Sequence, residues 1–252
     1  MYRLMQVIGL LSILLISGCA VTPQGDTPGA NSVTAKKKIL ADVVMDELVK
    51  DTQVNLKGGG DNRGGDNRLA LTWWIPNEFW ESVTSRDPTT SATDKEAILN
   101  AMSGITLLGV VQADISAFGT FNYYSKEEIE ENIQISYVSS DGATLKLLPL
   151  KKTSSDLNII LSIIKPILEG AMGNLGSNFH IFVLNDRTSS GLRLIDPYNI
   201  GAIYVQAKGR DDVKMNANIE LPLNSLFIPR MCPNGKEAHV SWNFCPWSGK
   251  RL

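Results

Sequence analysis

Histidine is nearly absent from this sequence: there are two in 252 residues, His180 and His239. A Ser-His-Asp hydrolase must set one of them beside a serine and a carboxylate. No Gly-x-Ser-x-Gly elbow is present to carry that serine. His180 stands within an apolar stretch and reads as a hydrogen-bonded core residue, whereas His239 falls between two cysteines, away from any evident cleft. The chain also has no His-Glu-x-x-His helix, no phosphate-cradling glycine loop and no dinucleotide fingerprint. No cofactor and no catalytic constellation is implied. Excess charge of one sign is lacking too: 24 basic side chains face 26 acidic ones. Nucleic acid is thereby excluded as a partner, because no basic stripe is available to neutralise phosphates. Long apolar runs are missing as well. Residues 7–16 make a ten-residue apolar stretch, against the about 20 residues that a permanent membrane helix needs.

That short stretch follows a start bearing one positive charge, Arg3, and is followed by Ile16-Ser17-Gly18-Cys19. The order of a charged start, a short apolar region and small residues is that of a secretory signal. The four residues resemble the lipobox of bacterial lipoproteins: an aliphatic residue, two small ones and a cysteine. The resemblance implies cleavage after Gly18, a diacylglycerol on the Cys19 sulfur and an acylated new amine, palmitate being a typical chain. Acyl chains stabilise membrane attachment by about 0.8 kcal/mol per buried methylene, so three of them exceed what stable anchoring needs. Ala20 follows the cysteine, where an aspartate usually retains Gram-negative lipoproteins in the inner membrane. The implied location is therefore the outer membrane, facing the periplasm or the surface. Residues 19–33, rich in Pro, Gly, Thr, Asn and Ser, read as a tether between lipid and domain.

An apolar content of 43% is enough for a real core. Residues 34–230 are expected to form one globular domain and 231–252 a separate cysteine segment. A helix is expected over 34–51, with Leu40, Val43, Val44 and Leu48 on one face. Strands are expected at 69–75, 105–115, 133–138, 143–150, 179–184, 192–195, 203–207 and 214–221. Further helices are expected at 77–84, 92–102, after the capping-box signal at Ser125, and at 154–172 with a kink at Pro166. Ser139-Ser140-Asp141-Gly142 marks a hairpin. Strand and helix do not alternate regularly, so the fold class expected is α+β with a mainly antiparallel sheet. The tandem copy Gly-Gly-Asp-Asn-Arg, at 59–63 and 64–68, reads as a tolerant loop, since calcium-binding glycine repeats need a nine-residue period and many copies.

The segments Cys232-Pro233-Asn234-Gly235-Lys236 and Cys245-Pro246-Trp247-Ser248-Gly249-Lys250 resemble each other and the Cys-Pro-x-Cys-Gly knuckles of zinc ribbons. Each has lost its second cysteine, so four metal ligands cannot be assembled. No metal is expected. The resemblance places the two turns side by side, and the implied export places them in an oxidising compartment. A Cys232–Cys245 disulfide closing a ribbon-like hairpin follows from both. A loop of about 14 residues closed this way stabilises by about 3 kcal/mol in the chain-entropy model.

Three of the five tryptophans crowd into residues 72–81 as Trp73, Trp74 and Trp80, beside Glu78 and Glu81. Two readings stay open for this segment. The first is a strand–helix corner packed into the core, with Trp73 and Trp74 on opposite faces and Phe79 and Val83 turned inward. Alternatively it is a candidate ligand or partner surface, at which aromatic rings stack on sugars and the two carboxylates hydrogen-bond hydroxyls. The function expected is a lipid-anchored envelope protein that acts by binding an envelope protein or glycan. The alternative is a periplasm-facing enzyme or binder of cell-wall glycan working through 73–81.

Overall fold

The structure, a computed structural model, describes residues 35–58 and 67–252. The signal segment, Cys19, the tether and most of the Gly-Gly-Asp-Asn-Arg repeat lie outside the described residues. In chain order, helix α1 (Met45–Thr52) leads into strands β1 (Gln53–Asn55) and β2 (Lys57–Gly58). Then come β3 (Arg68–Ile75), α2 (Asn77–Arg86), α3 (Ala92–Met102), β4 (Ile105–Ile115), β5 (Phe121–Tyr123) and α4 (Lys126–Asn132). The hairpin β6 (Ile133–Ser139) and β7 (Thr144–Leu147) precedes α5 (Ser155–Ala171) and β8 (His180–Asn185). The chain ends with β9 (Gly201–Lys208), β10 (Lys214–Leu221), β11 (Arg230–Met231) and β12 (Glu237–Ala238). The class is α+β, and every strand pairing is antiparallel.

Two sheets form the frame. In the first, β4 lies between β3 on one side and both β8 and β5 on the other, with β1 beyond β3. In the second the order is β2-β10-β9-β6-β7. The segment 53–58 belongs to both sheets, because β1 pairs with β3 and β2 pairs with β10.

Strand alternation assigns the two faces of the first sheet to two different cores. Ala70, Trp74, Leu108, Val110, Phe182 and Leu184 pack against Ile135, Tyr137, Ile203, Val205, Met215 and Ile219 of the second sheet. From the opposite face, Leu71, Trp73, Ile75, Leu107, Val111 and Val183 pack against Trp80, Met102, Leu157, Ile164 and Leu168 of the helices. The architecture is thus three layers, helices on sheet on sheet. Only the first sheet is covered on both faces, which is why β3 and β4 read as nearly continuous apolar runs. The second sheet turns Gln134, Ser136, Tyr204, Gln206, Asn216 and Asn218 outward, and its strands alternate.

Gly109 sits in β4 facing the helical layer. A Cβ there would lie 1.8 Å from Cζ of Phe179, so the ring fills the space that a side chain would need. Serine hydroxyls cap three of the helices. Ser91 and Ser154 accept from the backbone N–H of Asp94 and Leu157, at 3.1 and 3.2 Å. Ser125 and Glu128 form a reciprocal capping box on α4. Arg210 ties the two sheets at one end. Its guanidinium lies 4.0 Å from the Tyr124 ring centre and bonds Glu128 and Asp114, while its backbone N–H donates to the Tyr124 hydroxyl.

Two expectations are corrected. The helix expected over 34–51 is broken: 36–38 are extended, a 3-10 turn covers Leu40–Asp42, and α1 begins only at Met45. The cause is tertiary pairing. Lys38 N–H donates to Leu226 O and Ile228 N–H to Lys36 O, both at 2.8 Å, which holds the lysine run extended. Residues 192–195 are not a strand; only an isolated bridge joins Arg187 and Arg193. There the Arg193 side chain is drawn to buried carboxylates. α5 stays helical through Pro166.

Candidate functional site

The tryptophan segment forms a strand–helix corner. Pro76 ends β3 and α2 starts at once. Trp73, Trp74 and Trp80 are only 4%, 0% and 6% exposed, so as a stacking surface the segment offers nothing to solvent. The physical reason is the two-sided burial of β3. Trp74 enters the inter-sheet core, where its Nε1–H donates to Thr106 Oγ1 at 2.7 Å. Trp73 enters the helical core, and its Nε1 is buried with no partner among the described residues. Phe79 packs edge-on against Trp73 and Trp80, at 5.6 and 5.0 Å between ring centres.

Glu78, in the first turn of α2, is also buried. Arg193 approaches it with both terminal nitrogens, Nη1 to Oε1 at 2.5 Å and Nη2 to Oε2 at 2.9 Å. The same guanidinium donates through Nε to Asp186 Oδ2 at 3.2 Å. The other Asp186 oxygen accepts from Ile195 N–H at 2.7 Å. A planar five-donor fork suits two carboxylates at once in a way that an ammonium does not. Burial works against the Arg193 charge, yet the hydrogen bonds it donates to Glu78 and the fields of Glu78 and Asp186 raise its pKa. Asp186 is raised by burial, which outweighs the Ile195 N–H and Arg193.

Beside this hub is a cleft of about 230 Å³ whose polar lining is Asn77, Glu81, Ser103, Asp186, Arg187 and Arg193. Ligand pockets usually run to about 300–1,000 Å³, so this one suits only a small polar group. Arg187 is pinned across it, donating to Gly191 O at 2.9 Å and to Ser103 Oγ at 3.1 Å. Glu81 is the half-buried carboxyl of the cleft. Burial raises its pKa, Glu78 adds to the rise, and Arg193 opposes it. Tyr198 is likewise raised by burial and by Glu78 and Glu81. His180 stands apart from this cleft, its Nε2 3.3 Å from Tyr124 O, and burial lowers its pKa.

The C-terminal segment is the second candidate. Cys232 and Cys245 are bridged, with Cα atoms 5.7 Å apart, so their sulfurs are not metal ligands. The two turns are alike. Cys232 N–H donates to Lys236 O and Cys245 N–H to Lys250 O, at 2.8 and 2.7 Å. Each needs a left-handed residue, which Gly235 and Gly249 supply at φ of 77° and 67°. Arg230 holds the intervening loop by donating to the carbonyls of His239, Val240 and Trp242. The rings of Trp242 and Trp247 lie 6.1 Å apart, and Lys236 Nζ sits 5.0 Å above Trp247. These two indoles are 40% and 50% exposed, unlike the three in the core.

Comparison with protein-family models, curated proteins and solved structures found no match. Of the residues singled out from the sequence, the structure brings together Glu78 and Glu81 on α2, buries the three tryptophans and joins the two cysteines. Sequence reasoning missed Asp186, Arg187 and Arg193. One signal was available: Arg193 interrupts the apolar pattern of Leu192 and Leu194.

Proposed function

We propose that the chain is a lipid-anchored cell-envelope protein that acts by binding. What carries binding over catalysis is the occupation of the buried acids: Arg193 takes both oxygens of Glu78 and one of Asp186, leaving neither free to trade protons with a substrate. The lipobox-like Ile16-Ser17-Gly18-Cys19 supports the anchor. The Cys232–Cys245 bridge supports an exported chain, since such bridges persist in oxidising compartments. The location proposed is the outer membrane, and the partner is an envelope protein or glycan.

The test is affinity isolation of the tagged protein from gently solubilised envelopes after palmitate labelling, with Cys19→Ser as control. Label on the natural chain and a stoichiometric partner lost with Cys19→Ser are the expected results. An unlabelled chain recovered alone in both forms would sink the reading.

A second reading rests on Glu81. This carboxyl lines the cleft and is held above its ordinary range, as a general acid on glycan requires. Release of reducing sugar from purified cell-wall polymer, lost in Glu81→Gln, would favour it.

A further inference from the structure

We infer that the disulfide-closed C-terminal segment is a contact for an anionic phospholipid surface and sets which side of the domain faces the membrane. The inference rests on the lipid-anchored reading above. Its first support is chemical. Trp242 and Trp247 are the two half-exposed indoles of the described chain, set against each other, with Lys236 over one of them. Indole rings flanked by basic side chains favour the level of lipid headgroups, where one end of the ring is apolar and the other wet. Phe244 is 60% exposed in the same loop.

Charge gives the second support. The exposed ionic side chains of residues 231–252 are Lys236, Lys250 and Arg251 against Glu237 alone, within a chain whose total is −2. A local basic excess on an acidic protein complements the negative potential of a bilayer surface. Arg230 is not counted, since its guanidinium is committed to three carbonyls.

The third support is where the anchored end of the chain emerges. Residues 36–38 pair with 226–228, through Lys38 N–H to Leu226 O and Ile228 N–H to Lys36 O. The disulfide segment starts at Arg230, two residues beyond that pairing. Sixteen residue-to-residue steps lead from Cys19 to Ala35, and they reach at most about 55 Å even when fully extended. An acylated Cys19 therefore keeps the emerging end of the domain, and the disulfide segment that follows its pairing, within that reach of the bilayer. The tryptophan pair needs no further tether to find it.

The experiment uses the acylated full chain reconstituted into vesicles of brominated phosphatidylcholine, with or without phosphatidylglycerol. Bromine quenches only indoles that enter the bilayer, and Trp73, Trp74 and Trp80 are buried in the cores. Quenching is expected in the anionic vesicles. It should fall on adding salt and be lost in Trp242→Phe/Trp247→Phe and in Lys236→Glu/Lys250→Glu. Flotation of the same samples reads the acyl anchor separately. Protein that floats without quenching overturns the lipid contact, leaves the anchor intact and makes a protein the occupant of the patch. Quenching that persists unchanged in the double tryptophan variant overturns it as well. If the chain purified from envelopes proves to carry no acyl group, the anchor reading fails, and quenching by added anionic vesicles then supports the contact alone.

Discussion

Arg193 and Glu78, far apart in the chain, meet through two parallel hydrogen bonds of 2.5 and 2.9 Å, with Glu78 almost wholly removed from solvent. The pair joins α2 to the segment after β8, and Asp186 completes the triad through Arg193 Nε. Removing the arginine would leave two buried carboxylates uncompensated. Breaking a buried pair from one side costs about 3–5 kcal/mol. Arg193→Met should therefore lower the unfolding free energy by that order. Arg193→Lys should recover only part of it, because an ammonium cannot serve both Glu78 oxygens and Asp186. Equilibrium urea unfolding of the three proteins checks this.

Glu81 gives a pH-dependent prediction. Burial holds its pKa above the ordinary 4.5. The native state then binds the proton more tightly than the unfolded state. Its contribution to stability is complete below pH 4.5 and is lost as pH rises through the raised native value. Glu81→Gln should match the natural protein in acid and exceed it at neutral pH. Melting curves at a series of pH values decide it; a constant difference between the two proteins contradicts the assignment.

Gly109 and Phe179 should behave as one unit. Gly109→Ala places a methyl inside the Phe179 ring, and overpacking of this kind costs about 1–3 kcal/mol or more. Phe179→Leu opens room at the same spot at its own cost. The double variant should be less destabilised than the two single changes added together, since neighbours in contact do not act independently. A double-mutant cycle in urea measures the coupling.

Loss of the disulfide should act locally. Cys232→Ser/Cys245→Ser removes a cross-link worth about 3 kcal/mol in the chain-entropy model. The cysteines form a small apolar cluster of their own with Ala238 and Leu252. Val240 belongs to the inter-sheet core and its N–H is held by Asn224 at 2.8 Å. Hydrogen exchange should speed up at Cys232, Cys245 and Leu252 well before it does at Val205 or Leu108. Equal acceleration throughout would show that the segment is integral to global folding.

Signals carried within a few residues were legible in the sequence. The capping box at Ser125, the Asp141-Gly142 turn and the apolar run 105–115 each mark an element that the structure contains. Opposite burial of Trp73 and Trp74 followed from strand alternation alone. What could not be read depends on partners remote in sequence. The helical spacing of Leu40, Val43 and Val44 lost to pairing of the lysine run with 226–228. The apolar character of residues 192–195 lost to the attraction of Arg193 for Glu78 and Asp186. β1, β2 and β5 are too short to show a period. The cleft was hidden for the same reason, since its lining comes from α2, the α3–β4 turn and the chain after β8.

The pairing of Lys37 with Phe227 has a consequence for how this chain is made. A growing polypeptide exposes residues 36–38 early, yet the backbone they pair with, at 226–228, is synthesised much later. β2 waits in the same way for β10. Neither the second sheet nor the N-terminal edge can close until residues 214–228 have emerged, because non-local contacts form only after the loop between them is complete. Such an order of events postpones folding rather than hastening it. If the chain is exported as proposed, that delay keeps it threadable until residues 214–228 have passed through.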